Sequence, residues 1–540
     1  MSYDPSQPTV YFDIGEAIAA IGILLAFISL ANPTRQFRWK LGQFRLRTAY
    51  GLFFGGIACV LFAALLPVLP SRPAGIGGWP LFWEVFSGVL FACGSLGLLV
   101  SSTRPVKLTK WNGESFFRHC YSVIGRGEDH ELGALAQEIA ASAESVVNFA
   151  MDYNQHHAYV ANEKGQKYDV PKHTQWACRL MDLWSDRRFC NVIVTRCPGT
   201  AIEYFHAIQN KRLYDSGGYS FVQQLINEAF DDPNSILHRE ERYSGLGHFL
   251  PFTETVFGNY RFADSRFRPL QAAGFQHTNL RNIEKYIQCL QRVTKAYFDS
   301  GDYHGNTTAL WCGIDILVKS AGAVVARLRE GERPAKFEDG PIWALSRISD
   351  GFQELIKLAK QYETKLPDYP FDPNTTLQQR DYSVYEILAR GIYEYFEELA
   401  SIDGHDWNLR HAAIDVWLDL YSPSAGPECR TVIEIQKRLE VLLWEQVNKN
   451  LEEKLFCYPM ITKLLVSITG LQDRQNGSDG IKRVFQQLHR LLKEHFRQAS
   501  QLDEKRSRDL LPEGYEYDKE KNVILVKDRL GSEIMVFNCD

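Results

Sequence analysis

Three long apolar stretches, a charge asymmetry around them and about 430 residues of mostly helical periodicity behind them predict the fold class. The chain reads as an integral membrane protein, mainly α. Three N-terminal transmembrane helices precede a large α-helical cytosolic domain with a small C-terminal β-meander. Hydrophobic residues make up 45% of the 540-residue chain and charged residues 23%, a composition that folds.

The predicted spans are 14–31, 49–69 and 81–100. Each has roughly the length that crosses about 30 Å of hydrocarbon, and none carries a charge in its central part. Residues 1–110 hold nine Lys/Arg and four acids, whereas the remainder holds 51 basic and 61 acidic residues. A net-acidic soluble part argues against nucleic acid as a partner. Five of the basic residues, Arg35, Arg38, Lys40, Arg45 and Arg47, fall in the 32–48 segment between the first two spans, which has no acid. Arg104, Lys107 and Lys110 follow the third span. Cytoplasmic loops collect Lys and Arg, so the N-terminus is placed outside, the 32–48 segment inside and the C-terminal domain inside. The expected location is the cell (inner) membrane, multi-pass, with the bulk of the chain cytosolic. Tyr11, Trp39, Tyr50, Trp79, Trp83 and Trp111 stand where aromatic belts are expected. The first span lacks the basic n-region and the cleavage pattern of a signal peptide.

Small residues mark possible helix–helix contacts in lipid. Gly51 and Gly55 form a G-x-x-x-G pair in the second span, and Gly88/Ala92 a small-x-x-x-small pair in the third. They serve either packing within one chain or association between chains. Asp13, Glu16 and Glu84 are acids at the outer ends of spans, where they mark an ion path or simply meet water. The 32–48 segment is expected to lie against anionic headgroups, chiefly to fix topology.

The domain boundaries are drawn at 1–107 for the anchor, 108–275 for a first helical domain, 276–508 for a helical bundle or solenoid and 509–540 for a small β unit. Within the first domain, 131–151 reads as one amphipathic helix, Val192-Ile193-Val194 as a short strand, and 231–273 as a long irregular segment of the kind that often carries function. Thr308–Arg329 is apolar enough to pass for a fourth span, but Asp315, Lys319 and Arg327 interrupt it, which predicts a buried core helix. Eleven irregularly spaced cysteines predict reduced, buried thiols.

Catalytic motifs are lacking: no Walker A loop, dinucleotide fingerprint, H-E-x-x-H or nucleophile elbow. Three weak constellations remain. His238 and Glu241, one helical turn apart, with His248 returning from the loop, offer metal ligands of the zinc or iron type. His405-Asp406 is a bare HD pair, with His304 and Asp415 or Asp419 as nominal companions. His489, Glu494 and His495 read as a solvated surface. No cofactor is expected. The function expected is a membrane-anchored sensor/effector. Its cytosolic domain receives a signal or protein partner, and its spans associate as a homo-oligomer in the lipid bilayer to alter permeability, an arrangement suited to bacterial defence. A membrane-tethered scaffold is the alternative, and a tethered metal-dependent hydrolase the second.

Overall fold

A computed structural model describes residues 14–29, 31–41, 46–66, 79–151, 170–212, 218–242, 251–273, 281–301, 308–330, 340–369, 371, 383–400, 407–421, 429–452, 515–518, 520–521, 523–527 and 533–538. The fold is mostly helical, and the chain divides into two compact units, 1–239 and 240–540.

Unit 1 opens with α1 (Ile14–Ser29), α2 (Pro33–Leu41), α3 (Leu46–Leu65) and α4 (Pro80–Thr103). At 1.5 Å per residue, the 20 residues of α3 and the 24 of α4 reach about 30 and 36 Å, whereas the 16 of α1 reach about 24 Å. Three described helices are long and apolar enough to cross a membrane: Arg47–Leu65, Pro80–Thr103 and Thr308–Arg329. The first predicted span, at α1, is thus shorter than the other two.

α3 and α4 form an antiparallel hairpin closed by two interlocking contacts. A Cβ on Gly56 would stand 2.8 Å from the Phe91 ring, and one on Gly94 2.8 Å from that of Phe53. These glycines let the two rings sink in and meet each other edge-on at 5.2 Å. Between them Ser87 Oγ donates to Gly56 O at 2.8 Å. The outward faces stay apolar and unburied, with Phe54, Leu61, Leu65, Val85, Val89, Leu96 and Leu99 all exposed.

The rest of unit 1 is α5 (Gly113–Arg126), α6 (Asp129–Ala140), α7 (Ala143–Met151), α8 (Lys172–Trp184), α9 (Arg187–Arg196), α10 (Pro198–Lys211), α11 (Tyr219–Asp231) and the start of α12 (Ile236–Arg242). Its core is aromatic: Trp184, Tyr204 and Phe221 meet in a triangle of 5.4–6.0 Å centroid distances. Two expectations are corrected. The predicted strand at Val192–Val194 is helical. Asp186 caps α9 by accepting from Phe189 N at 3.1 Å, and a three-residue apolar run cannot distinguish strand from a helix buried on several sides. The predicted helix 131–151 breaks at Ser142. That hydroxyl is buried and bridges Val106 O and Leu108 N, both at 3.1 Å, tying the exit of α4 to the α6–α7 turn.

Unit 2 contains α13 (Pro251–Phe257), α14 (Tyr260–Ala263), α15 (Pro269–Ala273), α16 (Arg281–Ser300), α17 (Thr308–Arg329), α18 (Pro341–Gln361), α19 (Val384–Ala400), α20 (Trp407–Tyr421) and α21 (Arg430–Glu452). The predicted irregular segment 231–273 is therefore built largely of short helices. α17 lies in the core: 67% of its most apolar window is buried, against 33% for α3 and 28% for α4. Its Asp315 and Lys319 pair at 2.6 Å on the solvent side. Arg438, almost fully buried, pairs with Glu434 at 2.6 Å and Glu386 at 3.6 Å, pinning α21 to α19. β1 (Tyr515–Asp518), β2 (Val523–Lys527) and β3 (Glu533–Asn538) form an antiparallel sheet in that order, with a register shift between Val526 and Lys527.

Candidate functional site at the junction of hairpin and helical domain

The segment between the first two predicted spans is not a loop. Asn32 Oδ1 accepts from Arg35 N at 3.0 Å and Pro33 follows, the usual opening of a helix, and α2 runs to Leu41. Phe37, Trp39 and Leu41 are buried, and their spacing puts Trp39 nearly opposite Phe37, so α2 packs against protein on two sides. This corrects the placement of Trp39 in an aromatic belt. It is 1% exposed, and its indole N–H donates to Leu98 O at 3.3 Å, within the cluster that includes Phe53, Val60 and Phe91.

Arg38 is likewise not held for headgroups. Its Nε and Nη2 donate to Glu138 Oε1 at 2.8 and 2.5 Å, and its Nη1 to Ser102 O at 2.6 Å. One side chain thus links α2, the last turn of α4 and the last turn of α6. The Glu138 side chain is 2% exposed and that of Arg38 19%. The carboxylate is used on one side only: Oε2 is buried with no hydrogen-bond partner among the described residues. Two donors crowd one oxygen instead of forming the parallel fork that makes Arg–carboxylate pairs strong.

Beside this pair, Phe37 sits edge-on to Phe116 at 5.6 Å and 5.0 Å from the His119 ring. Burial, then the charges of Lys40 and Arg126, push the His119 pKa down to about 4, against a smaller upward pull from Glu131. The imidazole is neutral at pH 7 and sits between the basic helix and the domain. The other basic residues of the segment divide differently: Arg35, Lys40 and Arg47 are exposed, and Arg45 lies outside the described residues.

The remaining predicted residues do not gather here. Gly51 is exposed and Gly88 half-buried, and a Cβ on either meets nothing within 4 Å; one on Gly55 meets Leu90 at 3.6 Å, and Ala92 is exposed. The hairpin closes through Gly56, Ser87, Phe91 and Gly94, residues that a G-x-x-x-G search within one helix passes over because each of these glycines receives a ring from the facing helix. Glu84 is half-buried, and its neighbour Trp83 meets the Phe62 ring at 5.0 Å. Asp13, His248, His304, His405, Asp406, His489, Glu494 and His495 lie outside the described residues, as do the side chains of Glu16 and Glu241.

In α12, His238 Nε2 bonds Phe230 O at 3.0 Å, capping the end of α11. Glu240, buried, accepts from Phe252 N at 2.6 Å and Thr253 Oγ1 at 2.7 Å, capping the start of α13. These residues serve local caps. Among the described residues, no three His, Cys, Asp or Glu side chains are grouped to hold a metal. A surface depression of about 470 Å³ between the α13–α14 turn and α16 is lined by Arg261, Arg292, Lys295 and Asp299. Arg292 is paired with Glu254 and Lys295 with Asp299, which offsets two of its three cations. A comparison of the chain with protein-family descriptions, curated proteins and solved structures finds no match.

Proposed function

We propose that this chain is a membrane-anchored sensor/effector: the helical part receives a signal or protein partner, and the α3–α4 hairpin, associating with copies of itself in the bilayer, alters permeability. The observation that carries this reading is the Arg38–Glu138 pair. It joins the segment between two spans to a helix of the domain, so a rearrangement of α6 acts directly on α2 and on the end of α4. Glu138 Oε2, buried without a partner among the described residues, makes this joint the place where a rearrangement that supplies a donor would be favoured.

Three further observations support the membrane placement. The outward faces of α3 and α4 carry exposed Phe, Leu and Val along their length, whereas α17, equally apolar, is packed inside unit 2. Trp79, Phe82, Trp83 and Phe86 gather at the opposite end of the hairpin from the domain, as in an aromatic belt. Finally, α2 and α6 meet at the end of the hairpin that holds the basic residues, in keeping with that end being cytosolic in an inner membrane.

Association through Gly51 is testable because a side chain there meets nothing in its own chain. With a voltage-sensitive dye in expressing cells, the parent is expected to depolarise the membrane on induction and Gly51→Leu, present at the same membrane level, to leave the potential intact. Equal depolarisation by both contradicts association through this face. An unchanged potential with both contradicts the permeability reading and leaves a membrane-tethered scaffold.

A further inference from the structure

We propose that the face of the helical domain formed by α5, α8 and the α4–α5 connection is a second membrane contact, a site for anionic lipid headgroups on the leaflet from which α4 emerges. The inference rests on the reading of α3 and α4 as spans.

The face is aromatic and basic together. Trp111 is 96% exposed and Tyr121 63%, unusual values for large apolar rings on a folded domain. Tyr121 ends a line of rings: it stacks on Phe117 at 6.3 Å, and Phe117 meets Trp176, tilted, at 5.4 Å, with the Arg179 guanidinium 5.2 Å over the Trp176 ring. Gly113 lets Trp176 pack closely against the start of α5, since a Cβ there would stand 3.0 Å from the Trp176 side chain. Around the rings, residues 104–121 and 172–179 carry Arg104, Lys107, Lys110, Arg118, Lys172 and Arg179, with Glu114 as the one acid, itself paired to Arg118. This patch is positive in a domain that is otherwise net acidic. Amphipathic rings interleaved with cations match the headgroup layer, where Trp and Tyr settle and each Lys or Arg is drawn to anionic lipid.

The connection decides which surface the face meets. α4 ends at Thr103 and α5 begins at Gly113, so Trp111 stands only eight residues beyond the span. That stretch is held in one conformation. Ser142 clamps Val106 and Leu108, Thr109 N donates to Asn112 Oδ1 at 2.7 Å, and Asn112 Nδ2 to Lys107 O at 3.0 Å. A short, clamped connection keeps the face beside the exit of α4, continuous with the lipid-facing surface of the hairpin. The occupant it fits is therefore the same bilayer.

The test uses the full chain in nanodiscs of phosphatidylcholine and phosphatidylglycerol (3:1), with p-benzoylphenylalanine in place of Phe54, Tyr121 or Tyr219, and lipid adducts counted by mass spectrometry. Phe54 reports the span, and Tyr219, an exposed ring on α11, the background. Expected are lipid adducts at Phe54 and Tyr121 well above those at Tyr219. The double change Lys107→Glu/Lys110→Glu should cut the Tyr121 yield at least about fivefold, the worth of one lysine near an anionic surface, and leave the Phe54 yield unchanged. Adducts at Phe54 with Tyr121 at background overturn the contact and leave the spans standing. Protein adducts at Tyr121 overturn it in favour of a partner or a second copy. Equal Tyr121 yields in pure phosphatidylcholine overturn the anionic specificity. A lack of lipid adducts at Phe54 removes the span reading and this inference together.

Discussion

Removing one partner of a buried ion pair leaves the other charge stranded, so Arg38→Met is expected to cost about 3–5 kcal/mol, while Arg38→Met/Glu138→Met, which strands nothing, recovers most of it. Thermal unfolding of the parent, both single changes and the double in detergent gives the cycle; additive losses would show that the two residues do not act as a pair. His119 adds a pH dependence to the same junction. Its folded pKa of about 4 lies below the ordinary value near 6.5. The unfolded chain takes up a proton as pH drops below about 6.5 and the folded one does not until about 4, so stability is full above that window and lost on acidification through it. His119→Gln is expected to flatten the fall in Tm between pH 6.5 and 4; an unchanged slope would contradict the assignment. Little of this was legible in the sequence. Arg38 and Glu138 are a hundred positions apart, and a basic residue between two spans reads by default as a topology signal. What pairs it is a carboxylate whose burial, on a helix with an ordinary charge pattern, only the packing reveals.

At the scale of elements, apolar runs and breakers located most helices, because length and periodicity are local properties. They misplaced those where two structures share one pattern. Val192–Val194 is as apolar as a strand but is capped as a helix by Asp186, and 32–48 hides a helix whose Asn32-Pro33 opening was legible but outweighed by its charge. The small residues of the two spans divide between an inner and an outer face. Gly56 and Gly94 accept the rings of Phe91 and Phe53, whereas Gly51 faces away. Gly56→Leu or Gly94→Leu is therefore expected to open the hairpin and lower Tm by several degrees, as overpacking costs about 1–3 kcal/mol or more when a backbone must separate. Gly51→Leu should leave Tm within about a degree of the parent, since substitutions that touch nothing stay within about 0.5 kcal/mol. Equal losses at all three positions would contradict the assignment of faces.

For the whole molecule, a short basic helix joins two apolar helices with exposed outward faces to a helical domain, and the proposed function rests on that joint. Apolar length alone did not distinguish a span from a core helix: α17 qualifies as readily as α3 and α4, and burial separates them. The most direct measurement is therefore of placement. The full chain is expressed in bacteria, and its membranes are washed with alkaline carbonate; then spheroplasts and inside-out vesicles are treated with protease. The chain is expected to stay with the membrane after carbonate, and the helical domain to be degraded in inside-out vesicles and protected in spheroplasts. Release by carbonate, or degradation of the domain in spheroplasts, would contradict it.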